Sequence, residues 1–119
     1  MMSFATEVGP DTVILRIGPA LDFRSAAEFR THCNDLIDRG FRNFVLDLSA
    51  TGILDSMGLG ATFGLQRQVG AKNGRVLFAE PTRSVAAVID LTRSYKVFGK
   101  YMTVEDALAD LNDTPAEAP

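Results

Sequence analysis

Phe44-Val45-Leu46-Asp47-Leu48-Ser49-Ala50-Thr51-Gly52-Ile53-Leu54-Asp55-Ser56-Met57-Gly58-Leu59-Gly60 decides how the chain is read. The stretch opens with a short, nearly continuous apolar run, the pattern of a strand covered on both faces and paired in parallel. Its last residues open a helix that continues to Lys72. Ser56 falls where that helix begins. A helix start carries unpaired backbone N–H groups and a partial positive charge. It suits a serine cap and equally a phosphate. Gly58 and Gly60 read as leaving the backbone bare, so that another molecule can come close to Ser56. Each costs about 1 kcal/mol of helix stability relative to alanine, which argues that access matters. The chemistry leaves open whether Ser56 is a cap, a nucleophile or a substrate.

Working outward, Thr12-Val13-Ile14-Leu15-Arg16-Ile17 is β-branched and apolar and reads as a strand. Gly9-Pro10-Asp11 turns into it, and Gly18-Pro19 ends it. Val8 starts a short preceding strand that closes a hairpin over the turn. Ser25 and Glu28 form a capping-box pattern. Ala26, Phe29, Cys33, Leu36 and Ile37 then share one helical face, with Gly40 as the stop. This helix supplies the crossover that parallel strands need. Cys33 reads as a small buried hydrophobe and His32 as a surface residue. Asp47 interrupts the 44–48 strand. It either accepts N–H groups of the next loop or belongs to a site at the strand end.

Beyond Ser56, Ala61, Leu65 and Val69 make one apolar row and Leu59, Phe63 and Gln66 a second. Gly60 and Gly64 mark either close packing or a flat partner surface. Asn73-Gly74 is a turn, and Arg75–Ala79 is a further apolar strand. Thr82 caps a short helix with Val85, Val88, Ile89 and Leu91 on its apolar face. Phe98–Met102 reads as a last edge strand. Thr103 and Asp106 start a final helix lined by Val104, Ala107, Leu108 and Leu111. Residues 112–119 read as a disordered tail. The alternation predicts an α/β sandwich, with a mostly parallel sheet of about four or five strands and about four helices. It forms one domain over residues 1–111.

The chain has 119 residues with 46% hydrophobic and 23% charged residues, enough for one packed core. Its net charge of −3 and lack of Trp argue against a nucleic-acid partner. No apolar run is long enough for membrane insertion. No signal peptide is apparent, and Cys33 as the one cysteine fits a reducing, cytoplasmic setting.

Enzyme constellations fail one by one. Ser56 would need a base, and His32 is the one histidine. Leu54 stands where a nucleophile elbow needs glycine. There is no Gly-Lys-Ser/Thr loop, and Phe63 breaks a dinucleotide-type glycine pattern begun by Gly58 and Gly60. Asp22, Asp47 and Asp55 are the only basis for a metal site. No enzyme activity, cofactor or bound metal is expected. A regulatory serine fits better. A phosphate adds about −1.5 to −2 charges at a helix start that tolerates it, beside Asp55 and near Asp22. A partner docked over Ser56 is then expelled without a large conformational change.

The Asp55-Ser56-Met57-Gly58-Leu59-Gly60 core, after Val45-Leu46-Asp47-Leu48-Ser49, resembles the STAS domain family. Within it the chain is most similar to stand-alone bacterial anti-sigma factor antagonists. Leu21-Asp22 and Val104-Glu105-Asp106-Ala107-Leu108 extend the likeness, which covers residues 8–111. The resemblance implies a role in transcription regulation by partner switching. The unphosphorylated antagonist binds an anti-sigma factor that is also a serine protein kinase, and so frees the sigma factor. The kinase phosphorylates the serine that maps onto Ser56, and a PP2C-type phosphatase restores it. Asp22 and Asp55 help shape recognition by the kinase, and Met57, Gly58, Leu59 and Gly60 complete the partner-binding stretch. Relatives often carry Ser or Thr where this chain has Met57, so Ser56 has no neighbouring hydroxyl competitor. The alternative is a non-catalytic STAS scaffold or transporter-associated interaction module. A homodimer is left open.

Overall fold

The computed structural model describes residues 3–113. Strand β1 (Ser3–Glu7) pairs antiparallel with β2 (Thr12–Ile17) across the Gly9-Pro10 turn. The hairpin exists, but its first strand lies before Val8, which is outside it. Helix α1 (Ala26–Asp38) then crosses over to β4 (Asn43–Asp47), which runs parallel to β2. Helix α2 (Ser56–Gly70) leads to β6 (Arg75–Ala79), parallel to β4. The sheet order is β1-β2-β4-β6. The mostly parallel α/β architecture expected from the alternating pattern is the observed one.

A second, two-stranded ribbon joins β3 (Ala20–Leu21) to β5 (Ile53–Leu54) in parallel. Neither strand carries a readable period, because two residues are too few to show one. The ribbon places the loop after β2 beside the start of α2.

Three shorter helices follow: α3 (Arg83–Thr92), α4 (Tyr95–Phe98) and α5 (Val104–Asp113). The expected edge strand at Phe98–Met102 is corrected. Phe98 ends α4, and Gly99 takes φ +68°, which breaks an extended path. A single bridge, Ala79 to Tyr101, is what that stretch adds beside β6. The described residues thus hold five helices. Helix α5 runs through Asn112 and Asp113, two residues past the expected boundary, while 114–119 lie outside the described residues.

The sheet has a core on each face. Val13, Leu15 and Ile17 of β2 pack with Phe29, Leu36, Leu65, Val85 and Ile89 from α1, α2 and α3. Val45, Leu77 and Ala79 face the other way, onto Val104 and Ala107 of α5. Strand β4 is therefore covered on both sides, which explains its continuous apolar run. Leu91, expected on the apolar face of α3, is 85% exposed instead. Helix α5 is fixed at its start by Glu80, which accepts the Val104 N–H at 3.0 Å, and by the Thr103 cap on Asp106.

Phe98 is fully buried. Its ring stacks on Phe78 with centroids 4.4 Å apart and meets Phe63 edge-on at 4.9 Å. That contact explains how α4, a single turn, holds its place. Phe98→Ala is expected to destabilise the protein by about 3–5 kcal/mol, read from urea unfolding.

Candidate functional site

The ribbon, the start of α1 and the start of α2 meet in one place. Asp55, not Ser56, is the N-cap of α2. Its backbone is extended, and its carboxylate Oδ1 accepts the Gly58 N–H at 2.9 Å. Of the roles left open for Ser56, that of cap is filled by Asp55. An aspartate takes the capping role as readily as a serine, and Ser56 becomes the first helical residue. Its side chain is exposed, and among the described residues no group bonds its hydroxyl. The N–H groups of Ser56 and Met57 likewise have no protein partner among the described residues.

Asp55 also reaches across the ribbon. Its Oδ2 accepts the Phe23 N–H at 2.9 Å, and its own N–H donates to the Leu21 carbonyl at 3.3 Å. Asp22 is buried at 4% exposure. Its Oδ1 accepts the Arg24 N–H at 3.1 Å and the Ser25 hydroxyl at 3.3 Å, while its carbonyl accepts the N–H groups of Ser25 and Ala26. The turn into α1 is thus built around Asp22. The expected Ser25–Glu28 capping box is not formed: the one proton of the Ser25 hydroxyl is shared between the Ala20 carbonyl at 3.0 Å and Asp22 Oδ1 at 3.3 Å. Burial works to raise the Asp22 pKa, but the Arg24 N–H and guanidinium and the Ser25 hydroxyl outweigh it, leaving the carboxyl below its ordinary value.

The glycines divide. A Cβ on Gly58 would lie 2.0 Å from the Leu21 carbonyl oxygen, so Gly58 is buried against β3 and opens nothing to an outside molecule. Gly60 is exposed with nothing near its missing side chain. Leu59 points into the core. Of the expected docking residues, Met57 and Gly60 face outward, Asp55 is half-buried, and Asp22, Gly58 and Leu59 are internal supports. The sequence reading missed Phe23 and Ile53, which are 66% and 52% exposed beside Met57 at 51%. A lone phenylalanine between Asp22 and Arg24 was the available signal.

Asp47 accepts the Ser49 N–H at 3.0 Å, the structural one of its two readings, so it holds its own loop rather than joining Asp22 and Asp55. Among the described residues no His, Cys, Asp and Glu grouping could hold a metal ion. Gly64 lines the seam between α1 and α2 with Phe29 and Cys33. Cys33 is buried and its thiol is pushed up to about 12 by that burial. His32 bonds the buried Ser3 hydroxyl at 2.6 Å, tying β1 to α1.

Residues 3–107 match the STAS domain family. A Thermotoga maritima protein named as an anti-sigma factor antagonist is 24% identical over 109 residues, 91% of this chain and 96% of that one. The crystal structure of a Thermotoga maritima protein described as an anti-sigma factor antagonist aligns with a TM-score of 0.82 at 23% identity, covering 89% of this chain and 92% of that one. Unphosphorylated SpoIIAA, an anti-sigma factor antagonist of Bacillus, aligns with a TM-score of 0.81 at 20% identity, covering 94% and 97%. The murine anion transporter Slc26a9 contains the same fold, with a TM-score of 0.72 at 17% identity over 92% of this chain and 19% of that one. Likeness at these identities speaks for the fold.

Two outcomes follow from this geometry. Gly58→Ala should destabilise by about 1–3 kcal/mol through overpacking on Leu21, whereas Gly60→Ala should be neutral or stabilise by up to about 1 kcal/mol; urea unfolding of the pair reads both signs. Because the Asp22 pKa is lowered on folding, the charged carboxylate stabilises the fold above the unfolded value of about 3.9. The advantage of wild type over Asp22→Asn should therefore be full near pH 7 and shrink as pH falls below about 4.

Proposed function

The chain belongs to the STAS domain family, and from that premise we propose that it is an anti-sigma factor antagonist switched by phosphorylation of Ser56. One observation carries the reading: Ser56 stands exposed at the first helical position with its hydroxyl unbonded, while Asp55 does the capping. The serine is not needed to hold the fold and is free for chemistry. In the unphosphorylated state the face formed by Phe23, Ile53, Met57 and Ser56 docks on an anti-sigma factor that is also a serine kinase. Its exposed apolar side chains supply contact area, and the Asp22 and Asp55 hydrogen bonds hold the two loops still.

The kinase transfers the γ-phosphoryl group of ATP to Ser56 Oγ. The hydroxyl proton goes to a base of the kinase, and ADP leaves. The phosphate brings about −1.5 to −2 charges and three acceptor oxygens next to two carboxylates and an apolar contact face. Docking then requires burying that charge, and the complex separates. The helix start accommodates the phosphate, so the fold persists. A PP2C-type phosphatase, using water, returns the serine and releases inorganic phosphate. The antagonist itself catalyses nothing and needs no cofactor. A scaffold or transporter-associated role leaves the unbonded hydroxyl of Ser56 without a purpose.

Mass spectrometry of the protein from its native cells should find one phosphate on Ser56, removed by phosphatase treatment and absent from Ser56→Ala. Ser56→Asp should bind the purified kinase at least tenfold more weakly, about 1.4 kcal/mol, with an unchanged circular dichroism spectrum. An unmodified Ser56 across growth conditions, together with full affinity of Ser56→Asp, overturns the proposal.

A further inference from the structure

The Asp22-Phe23-Arg24 loop lies against the opening of α2, since the Phe23 N–H donates to Asp55 at 2.9 Å and Asp55 directly precedes Ser56. The Arg24 guanidinium belongs to this loop. Its Nη2 reaches Asp22 Oδ2 at 3.3 Å, and its Cζ lies 5.6 Å from the centre of the Phe23 ring. Neither hold is firm. A charge-assisted bond of good geometry is shorter, about 2.7–2.9 Å, and the Arg24 side chain is 70% exposed, where a single ion pair contributes little. Asp22 Oδ1 is held from within the turn by the Arg24 N–H and the Ser25 hydroxyl, whereas Oδ2 is bonded by the guanidinium. Turning Arg24 away therefore costs the buried Oδ2 its bond, a cost that only a stronger, multiply bonded anion can offset.

We infer that Arg24 is the residue that receives the phosphate on Ser56, giving up Asp22 and the Phe23 ring as it does so. The inference rests on the proposal that Ser56 is phosphorylated. A phosphate offers the planar guanidinium fork two or three oxygens with charge spread over them, against one carboxylate oxygen at long range in the unmodified protein. Phosphorylation then alters the docking face in two places. It adds negative charge at Ser56, and it withdraws the cation that lay over Phe23.

The surrounding charges set the competition. Asp22 and Asp55 oppose the phosphate from the two loops, and Glu28 lies in the first turn of α1. From α3, Arg83 is the rival cation: it begins the helix whose Ser84 hydroxyl donates to the Gly52 carbonyl at 2.9 Å. Arg83 is therefore the control.

The test uses the full chain with phosphoserine installed at position 56 during synthesis, so that no kinase is needed. The second ionisation of the phosphate is followed by phosphorus NMR against pH. The parent should titrate below the ordinary value of about 6. Arg24→Gln should raise the midpoint by about half a unit or more, roughly a threefold gain in proton affinity. Arg24→Lys should recover part of the difference, and Arg83→Gln should leave the parent value. Equal midpoints for Arg24→Gln and the parent overturn the inference, as does a shift seen with Arg83→Gln alone. A serine that is never phosphorylated in cells shows itself separately, in the mass spectra, and leaves this titration readable.

Discussion

The carbonyl oxygen of Leu21 occupies the space that a side chain at position 58 would need. That close approach brings the start of α2 down onto the short ribbon. The same oxygen accepts the Asp55 N–H, so cap and ribbon are joined at one atom. Asp55 can then reach Phe23, and Asp22 can gather Arg24, Ser25 and Ala26 into the turn that starts α1. Two helix starts and the exposed Ser56 all depend on one glycine packed against one backbone oxygen. The constraint is steric rather than attractive. It fixes position sharply, because no alternative rotamer can relieve it.

Much of the fold was legible in periodicity. The alternation of apolar strands with amphipathic helices named the α/β class, and the apolar run at 44–48 announced a strand covered on both faces. These signals are local and repeat over several residues. The site was legible in outline, since an Asp-Ser pair ahead of a glycine-rich helix is a recognisable start. What escaped was non-local. Ser25 has the sequence of a capping residue, but Ala20 and Asp22 compete for its hydroxyl and win. Thr82 stands at the N-cap of α3, yet its hydroxyl goes to the Thr51 carbonyl at 2.8 Å. Gly58 looked like an opening to the outside and is a buried contact. In each case the deciding partner is distant in the sequence or hidden in the turn geometry, so spacing alone could not reveal it.

The two faces of the sheet divide the labour. Helices α1, α2 and α3 share one core, and it carries the ribbon and Ser56 at its edge. Helix α5 closes the other face, secured by the Asp110 carboxylate, which takes the Tyr101 hydroxyl and the Arg75 guanidinium. Burial and the neighbouring Asp110 charge raise the Tyr101 pKa, while Arg75 works against them. The phenol therefore stays protonated and keeps donating well above neutral pH. Leu21 and Leu54 of the ribbon belong to the first core, so α5 and the start of α2 rest on opposite faces of the sheet.

Phe23, Ile53 and Met57 stand outside this scheme. They lie on the loops and helix start next to Ser56, each is at least half exposed, and none belongs to either core. Under the proposed function, a cell that keeps several such proteins must stop each from answering to its neighbour's kinase. Exposed positions free of structural duty on a fixed frame would allow that separation to be written in side chains alone. Duplicated copies can diverge into mutually deaf circuits while their shared scaffold stays the same.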